Sequence, residues 1–397
     1  MRLALVADTY PPHRTSGAVQ LRDLVLELVR QGHDVTVFLP SAEIDSSIVV
    51  EAYRGYEVVR IHCPRTKGVG HLRRALAEAV MPWLMRARWL ASRFHARKFE
   101  GVVWYSPSIF HGPFIRAIKR ASGCSSYLIL RDIFPDWAVD MGLLRHPALI
   151  QWFRAVARSQ YRTAEKIGVQ SEGNIAYLTQ ADLNLARKLE VLPNWLGQED
   201  RKECRLDLSK THLKNRHWFL YAGNMGVAQG VEALLAMAER MADLDELGFA
   251  FVGGGSEFAN LSHAARERGL KNVLFHSEIS PEEVSDLART CAAGMICLDP
   301  RHKSNNIPGK MLTYLRAGLP IVAFVNKGND LVKFIQTNDI GVVCENGGID
   351  TLEGQARQLF ARIREGERYE SRTKTAFERH FSVSIAAKKI IEGLNQA

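Results

Sequence analysis

Cysteine is scarce in this chain, six in 397 residues and none in a Cys-x-x-Cys pair. That excludes a disulfide scaffold, so Cys63, Cys124, Cys204, Cys291, Cys297 and Cys344 read as inert thiols of a reducing compartment. The 13 histidines form no His-Glu-x-x-His or comparable ligand set, and nothing resembles a metal-binding Asp-x-Asp. Long apolar runs are missing too. Nowhere do 18 uncharged apolar residues follow one another, so no membrane-spanning helix is expected. The apolar start before Asp8 is too short for a signal-peptide core and reads as a buried strand. Internal repeats, low-complexity tracts and nucleic-acid-binding motifs are absent, and no nucleic-acid partner is expected.

Acidic residues are missing from one stretch in particular. Between Arg65 and Lys98 stand nine cations and a single acid, Glu78, in a chain of net charge +9. Such a local excess implies an anionic partner. Pro82 is expected to end one helix there and residues 83–98 to form another. Arg86, Trp89, Arg93 and Arg97 would then share a face at helical spacing, and tryptophan among arginines suits an anionic membrane surface. Residues 149–162, with Trp152, Phe153, Arg154 and Arg158, are a second candidate.

Along the rest of the chain, short apolar runs alternate with amphipathic stretches. Runs at residues 3–7, 35–39, 58–61, 102–104, 127–130, 167–169 and 189–192 read as strands, and residues 19–30 as the first helix. The alternation weakens over 197–216, then resumes with strands near 218–221, 248–252, 273–275, 295–298, 321–325 and 341–344. Between them, helices are expected near 230–241, 257–268, 281–288, 309–317 and 352–364. Ser280, Pro281 and two glutamates make a strong helix start. The pattern predicts an α/β chain of two Rossmann-like domains. The boundaries fall at 1–196, completed by 380–397, and 197–379, with a ligand cleft at the carboxyl ends of the strands.

Five segments there could carry chemistry. Ser16 and Gly17 close the loop into the first helix, whose N-terminus can take an anion. Gly223, Asn224, Gly226 and Gln229 lie in the matching loop of the second domain. Gly254 lies in a run of three glycines after the next strand. Asn305, Asn306, Pro308, Gly309, Lys310 and Thr313 surround a helix start. A lysine in a first turn opposes the helix dipole, so Lys310 asks for an anionic partner. Arg131, Asp132 and Asp136 emerge after a buried strand of the first domain.

Together these segments resemble the GT4 type of GT-B glycosyltransferase over essentially the whole chain. Tyr-Pro-Pro with Ser-Gly, Gly-Asn-Met-Gly-Val-Ala-Gln-Gly, Val-Gly-Gly-Gly and Gly-Lys followed by Ala-Gly-Leu-Pro carry the resemblance. Arg-Asp-Ile-Phe-Pro-Asp-Trp-Ala-Val with Asn-Asn-Ile-Pro-Gly-Lys is narrower, and resembles bacterial O-antigen and capsule transferases, notably those for N-acetyl-L-fucosamine. The resemblance implies retaining, metal-independent transfer of a sugar from UDP, with no cofactor, to an undecaprenyl-diphosphate-linked acceptor. It also implies a cytoplasmic protein peripheral on the inner face of the bacterial membrane. Asp132 and Lys310 are the implied catalytic groups, and Arg131, Asp132 and Asp136 the acceptor side. Two departures stand out. Asn305 and Thr313 occupy the places of the family's usual glutamate pair, and Asn224 and Gln229 those of its diphosphate arginine and lysine. They leave open an epimerase acting on UDP-sugars and a non-catalytic sugar-nucleotide binder.

Overall fold

A computed structural model describes residues 1–13, 15–66, 68–197, 202–301, 307–345 and 348–396. It separates into two units, Met1–Pro193 with Val383–Ala397, and Asn194–Ser382. Asn305 and Asn306 lie outside the described residues.

The first unit is built on β1 (Arg2–Val6), β2 (Asp34–Ser41), β3 (Ile48–Tyr53), β4 (Tyr56–His62), β5 (Gly101–Tyr105), β6 (Ser125–Ile129), β7 (Lys166–Val169) and β8 (Leu189–Val191). The sheet order is β3-β4-β2-β1-β5-β6-β7-β8. Its pairs are parallel except β3 with β4, a hairpin the apolar pattern does not announce because β3 is only half-buried. Central strands are apolar on both faces because helices cover both. The helix Val383–Asn395 returns to this unit. Ala386, Ala387, Ile390 and Leu394 lie on its buried side, and Lys389 Nζ donates to the Val191 carbonyl at 2.9 Å. Gly101 admits Leu394, since a Cβ there would stand 2.8 Å from it.

The second unit has β9 (His217–Ala222), β10 (Leu247–Val252), β11 (Val273–His276), β12 (Ala293–Cys297), β13 (Ile321–Val325) and β14 (Gly341–Glu345), all parallel in the order β11-β10-β9-β12-β13-β14. Ser280 and Glu283 form a reciprocal cap at the start of the helix Pro281–Arg289. Strand order reverses between β1 and β5 in one sheet and between β9 and β12 in the other. The loops leaving these strands flank the crevices in which such sheets bind ligands.

Pro82 does not end its helix, which runs unbroken over His71–Leu90. Proline forfeits a backbone hydrogen bond, but Ala77, Met81, Met85 and Trp89 recur on one side and are buried, and that packing holds the helix through the defect. The expected face of Arg86, Trp89, Arg93 and Arg97 is therefore corrected. Trp89 is fully buried, with its ring 6.0 Å from that of Phe114. Arg93 and Arg97 lie beyond the helix end. Arg97 donates to Glu57 at 2.7 Å and to Thr36 at 2.8 Å, and Arg93 stands 3.6 Å from Glu57.

Candidate active site

In the first unit, Arg131 and Asp132 follow β6, beside the loops leaving β1 and β5. Both of their backbone N–H groups point at Ser106 Oγ, at 2.9 and 3.4 Å. The Gln170 side-chain amide donates to the Arg131 carbonyl at 2.9 Å. The Arg131 guanidinium is buried and donates to the carbonyls of Leu192, at 2.6 Å, and Pro193, at 3.2 Å. It ties β6 to the segment after β8.

Asp132 keeps part of its surface. Burial raises its carboxyl above the ordinary range, the nearby Arg131 pulls it partly back, and Asp8 adds repulsion in the raising direction. It is a stronger base than a solvated aspartate. Asp136 does not join this pair. It accepts from Arg154, at 2.9 and 3.0 Å, on the helix Pro147–Thr163. Gly17 is a close approach: a Cβ there would lie 3.0 Å from the Tyr105 hydroxyl, and Thr15, not Ser16, caps the helix Ser16–Arg30. Sequence reasoning missed His111 after β5. It is fully buried, neither ring nitrogen has a hydrogen-bond partner among the described residues, and burial depresses its pKa to about 4, so the ring is neutral.

In the second unit the loop after β9 lies beside Lys310 at the start of the helix Gly309–Ala317, and the loop after β10 packs on the loop after β9. Pro308 precedes its first turn, and Gly309 and Lys310 begin it. The Lys310 amine is enclosed. It donates to the Tyr221 hydroxyl at 2.9 Å and lies 4.1 Å from that ring's centroid. Tyr221 in turn donates to the Asn224 carbonyl at 2.6 Å. Burial lowers the Lys310 pKa to about 8, and the Cys297 thiol acts weakly in the other direction. Tyr221 is the residue that sequence reasoning overlooked. Its place at the end of β9, under the glycine loop, was the available signal.

Asn224 and Gln229 bind each other at 2.8 Å, and Gln229 also accepts from the Gly226 N–H at 3.0 Å. Neutral side chains thus brace a loop where the resemblance leads one to expect cations. The run of three glycines serves two ends. A Cβ at Gly253, whose φ is +154°, would fall 2.0 Å from the Gly223 carbonyl, so the two loops require glycine to touch. A Cβ at Gly254 would meet open space, and the Gly254 carbonyl accepts from the Met225 N–H at 2.6 Å. Thr313 is half-buried on the same helix. Asn194, unmarked in the sequence, is buried and donates to the Ile307 carbonyl at 2.7 Å, fixing the approach to Pro308.

Comparison with known proteins fits these two units. The model for a glycosyl transferase 4-like domain matches residues 16–195, and that for glycosyl transferases group 1 matches residues 207–376. Between them they take in most of the chain. The chain belongs to the GT4-type glycosyltransferases. This transferase is 24% identical over 378 residues to WcaI of Escherichia coli K12, which bears the name of a colanic acid biosynthesis glycosyl transferase. The alignment covers 87% of this chain and 86% of WcaI. Among solved structures, WaaG, a glycosyltransferase involved in lipopolysaccharide biosynthesis, is 13% identical with a TM-score of 0.67, and each chain is covered in full. HepE of Anabaena, solved with UDP-glucose, is 14% identical with a TM-score of 0.65, again over both whole chains. At such identities the likeness fixes the GT-B fold of this transferase.

Proposed function

We propose that this transferase moves a sugar from UDP to a lipid-linked glycan in the assembly of a bacterial O-antigen or capsule. The observation that carries this reading is Lys310. Its side chain is half-buried at a helix start, beside a glycine loop, with a phenol rather than a carboxylate as its partner. An amine whose pKa is lowered to about 8 still carries its charge at neutral pH, and an anion beside it favours that charged form; a diphosphate supplies two. UDP-glucose in HepE and the polysaccharide roles named for WcaI and WaaG support the donor and the product class. The narrower motifs around Asp132 and Lys310 support an N-acetylated amino sugar such as N-acetyl-L-fucosamine.

The reaction retains the anomeric configuration and uses no metal. The bond between the sugar and the diphosphate breaks as the acceptor oxygen bonds to the anomeric carbon. Negative charge grows on the leaving phosphate, where Lys310 and the free N–H groups of the helix Gly309–Ala317 lower its energy. Asp132 orients the acceptor hydroxyl, whose proton passes to the leaving phosphate. An undecaprenyl-diphosphate-linked acceptor places the protein peripherally on the cytoplasmic face of the membrane. Among the described residues no helix is long and apolar enough to cross a bilayer.

The test is turnover with UDP-N-acetylhexosamines, with and without an undecaprenyl-diphosphate-linked acceptor. Release of UDP only in the presence of the lipid, with the donor's anomeric configuration kept in the product, is expected. Formation of a 2-epimer, or tight UDP-sugar binding without turnover on any lipid acceptor, contradicts the reading.

A further inference from the structure

The helix His71–Leu90 carries two unlike sides. Its inner side is the buried Met81–Met85–Trp89 row. Its outer side exposes Leu76 (61%), Val80 (45%), Trp83 (54%) and Leu90 (43%), which recur at helical spacing along one stripe. Beside that stripe, against the helix Gly112–Ser122, lies a groove of about 500 Å³. Trp83, Arg86 and Leu90 line it from one helix, Arg116 and Arg120 from the other, and His95 lines it too. No acidic side chain lines it.

The cations of this groove repel one another. Arg116 and Arg120 are a turn apart on one helix, an arrangement that destabilises it when no counter-charge is present. Arg116 is held in place by Thr163 Oγ1, at 2.9 Å, and Ser159 Oγ, at 3.3 Å, both neutral. Burial, with the neighbouring charge of Arg120, lowers its pKa. The Arg86 guanidinium lies 6.0 Å from the Trp83 ring centroid. No ion pair to Arg86, Arg116 or Arg120 occurs among the described residues. Three guanidinium groups around one hollow match a phosphate, which arginine binds through paired N–H donors. The exposed apolar stripe on the same helix selects a phosphate that comes with acyl chains.

We propose that this groove seats the phosphate headgroup of an anionic phospholipid, with Leu76, Val80, Trp83 and Leu90 resting at the acyl boundary. The inference refines the membrane part of the proposed function and relocates the contact from the Arg93–Arg97 side to the groove.

The experiment measures co-sedimentation of the full chain with vesicles of phosphatidylcholine, alone or mixed with phosphatidylglycerol. Arg86→Ala combined with Arg120→Ala should weaken binding to the mixed vesicles by about a hundredfold, two charge-assisted contacts being lost. Arg73→Ala combined with Arg93→Ala removes the same charge outside the groove and should cost about thirtyfold at most. Melting temperatures of both pairs show that the fold survives. Equal losses for the two pairs would reduce the contact to diffuse attraction and overturn the site. So would a parent chain that binds inorganic phosphate through Arg86 and Arg120 but ignores both vesicles. UDP binding by the parent, measured separately, tests the transferase reading and does not depend on this outcome.

Discussion

Asp132 and Arg131 adjoin in sequence, yet burial assigns them different work. Arg131 spends its guanidinium on two backbone carbonyls, 61 and 62 residues distant in sequence. Asp132 is left with a raised pKa. A carboxyl whose folded pKa exceeds its unfolded one binds more protons in the native state. Its ionisation therefore costs stability as pH rises from the ordinary aspartate range through the raised value, and that cost is complete above the raised value. Asp132→Asn removes the cost. We expect its melting temperature at pH 7 to match or exceed that of the parent, with the advantage vanishing in acid below about pH 3.9. Turnover should fall by about a hundredfold or more, since the carboxylate that orients the acceptor is lost. A lower melting temperature at pH 7 would instead mark a structural ion pair with Arg131. The sequence located these side chains at a strand end. It could not reveal which would be consumed by distant carbonyls, because such bonds depend on chain returns that no local pattern records.

At the scale of elements, long periodic segments were legible and conflicted ones were not. The apolar strands and the Ser280 cap follow from local chemistry. The helix His71–Leu90 was misread because Pro82 is a strong local signal and the Trp89 row beneath it is a tertiary one. The helix Glu370–His380 went unmarked because its sequence is largely polar, although it buries Thr373 and Ala376. The glycine run after β10 shows how packing and ligand approach share one motif. Gly253→Ala drives a Cβ into the Gly223 carbonyl and should destabilise the second unit by about 1–3 kcal/mol. Gly254→Ala meets open space and should change stability by about 0.5 kcal/mol or less. Denaturant unfolding of the two variants separates them. If both destabilise equally, the loop packs differently from the arrangement described here. A loss of UDP affinity in Gly254→Ala at unchanged stability is the expected mark of a donor-facing glycine.

For the whole molecule, two Rossmann-like units were readable from the repeated alternation of strand and helix. The missing donor charges, Asn224 and Gln229, became intelligible only once their mutual hydrogen bond was seen. With them neutral, Lys310 is the cation proposed to meet the diphosphate. Calorimetric titration of the full chain with UDP and with uridine tests it most directly. Lys310→Ala should weaken UDP binding by roughly tenfold to a hundredfold and leave uridine unchanged, because only the phosphates meet the amine. In the parent, UDP affinity should decline above a pH of about 8, where the free lysine loses its proton. The slope should be at most about tenfold per pH unit, and flat in the variant. Equal losses of UDP and uridine binding, or UDP affinity indifferent to Lys310→Ala, would contradict the account.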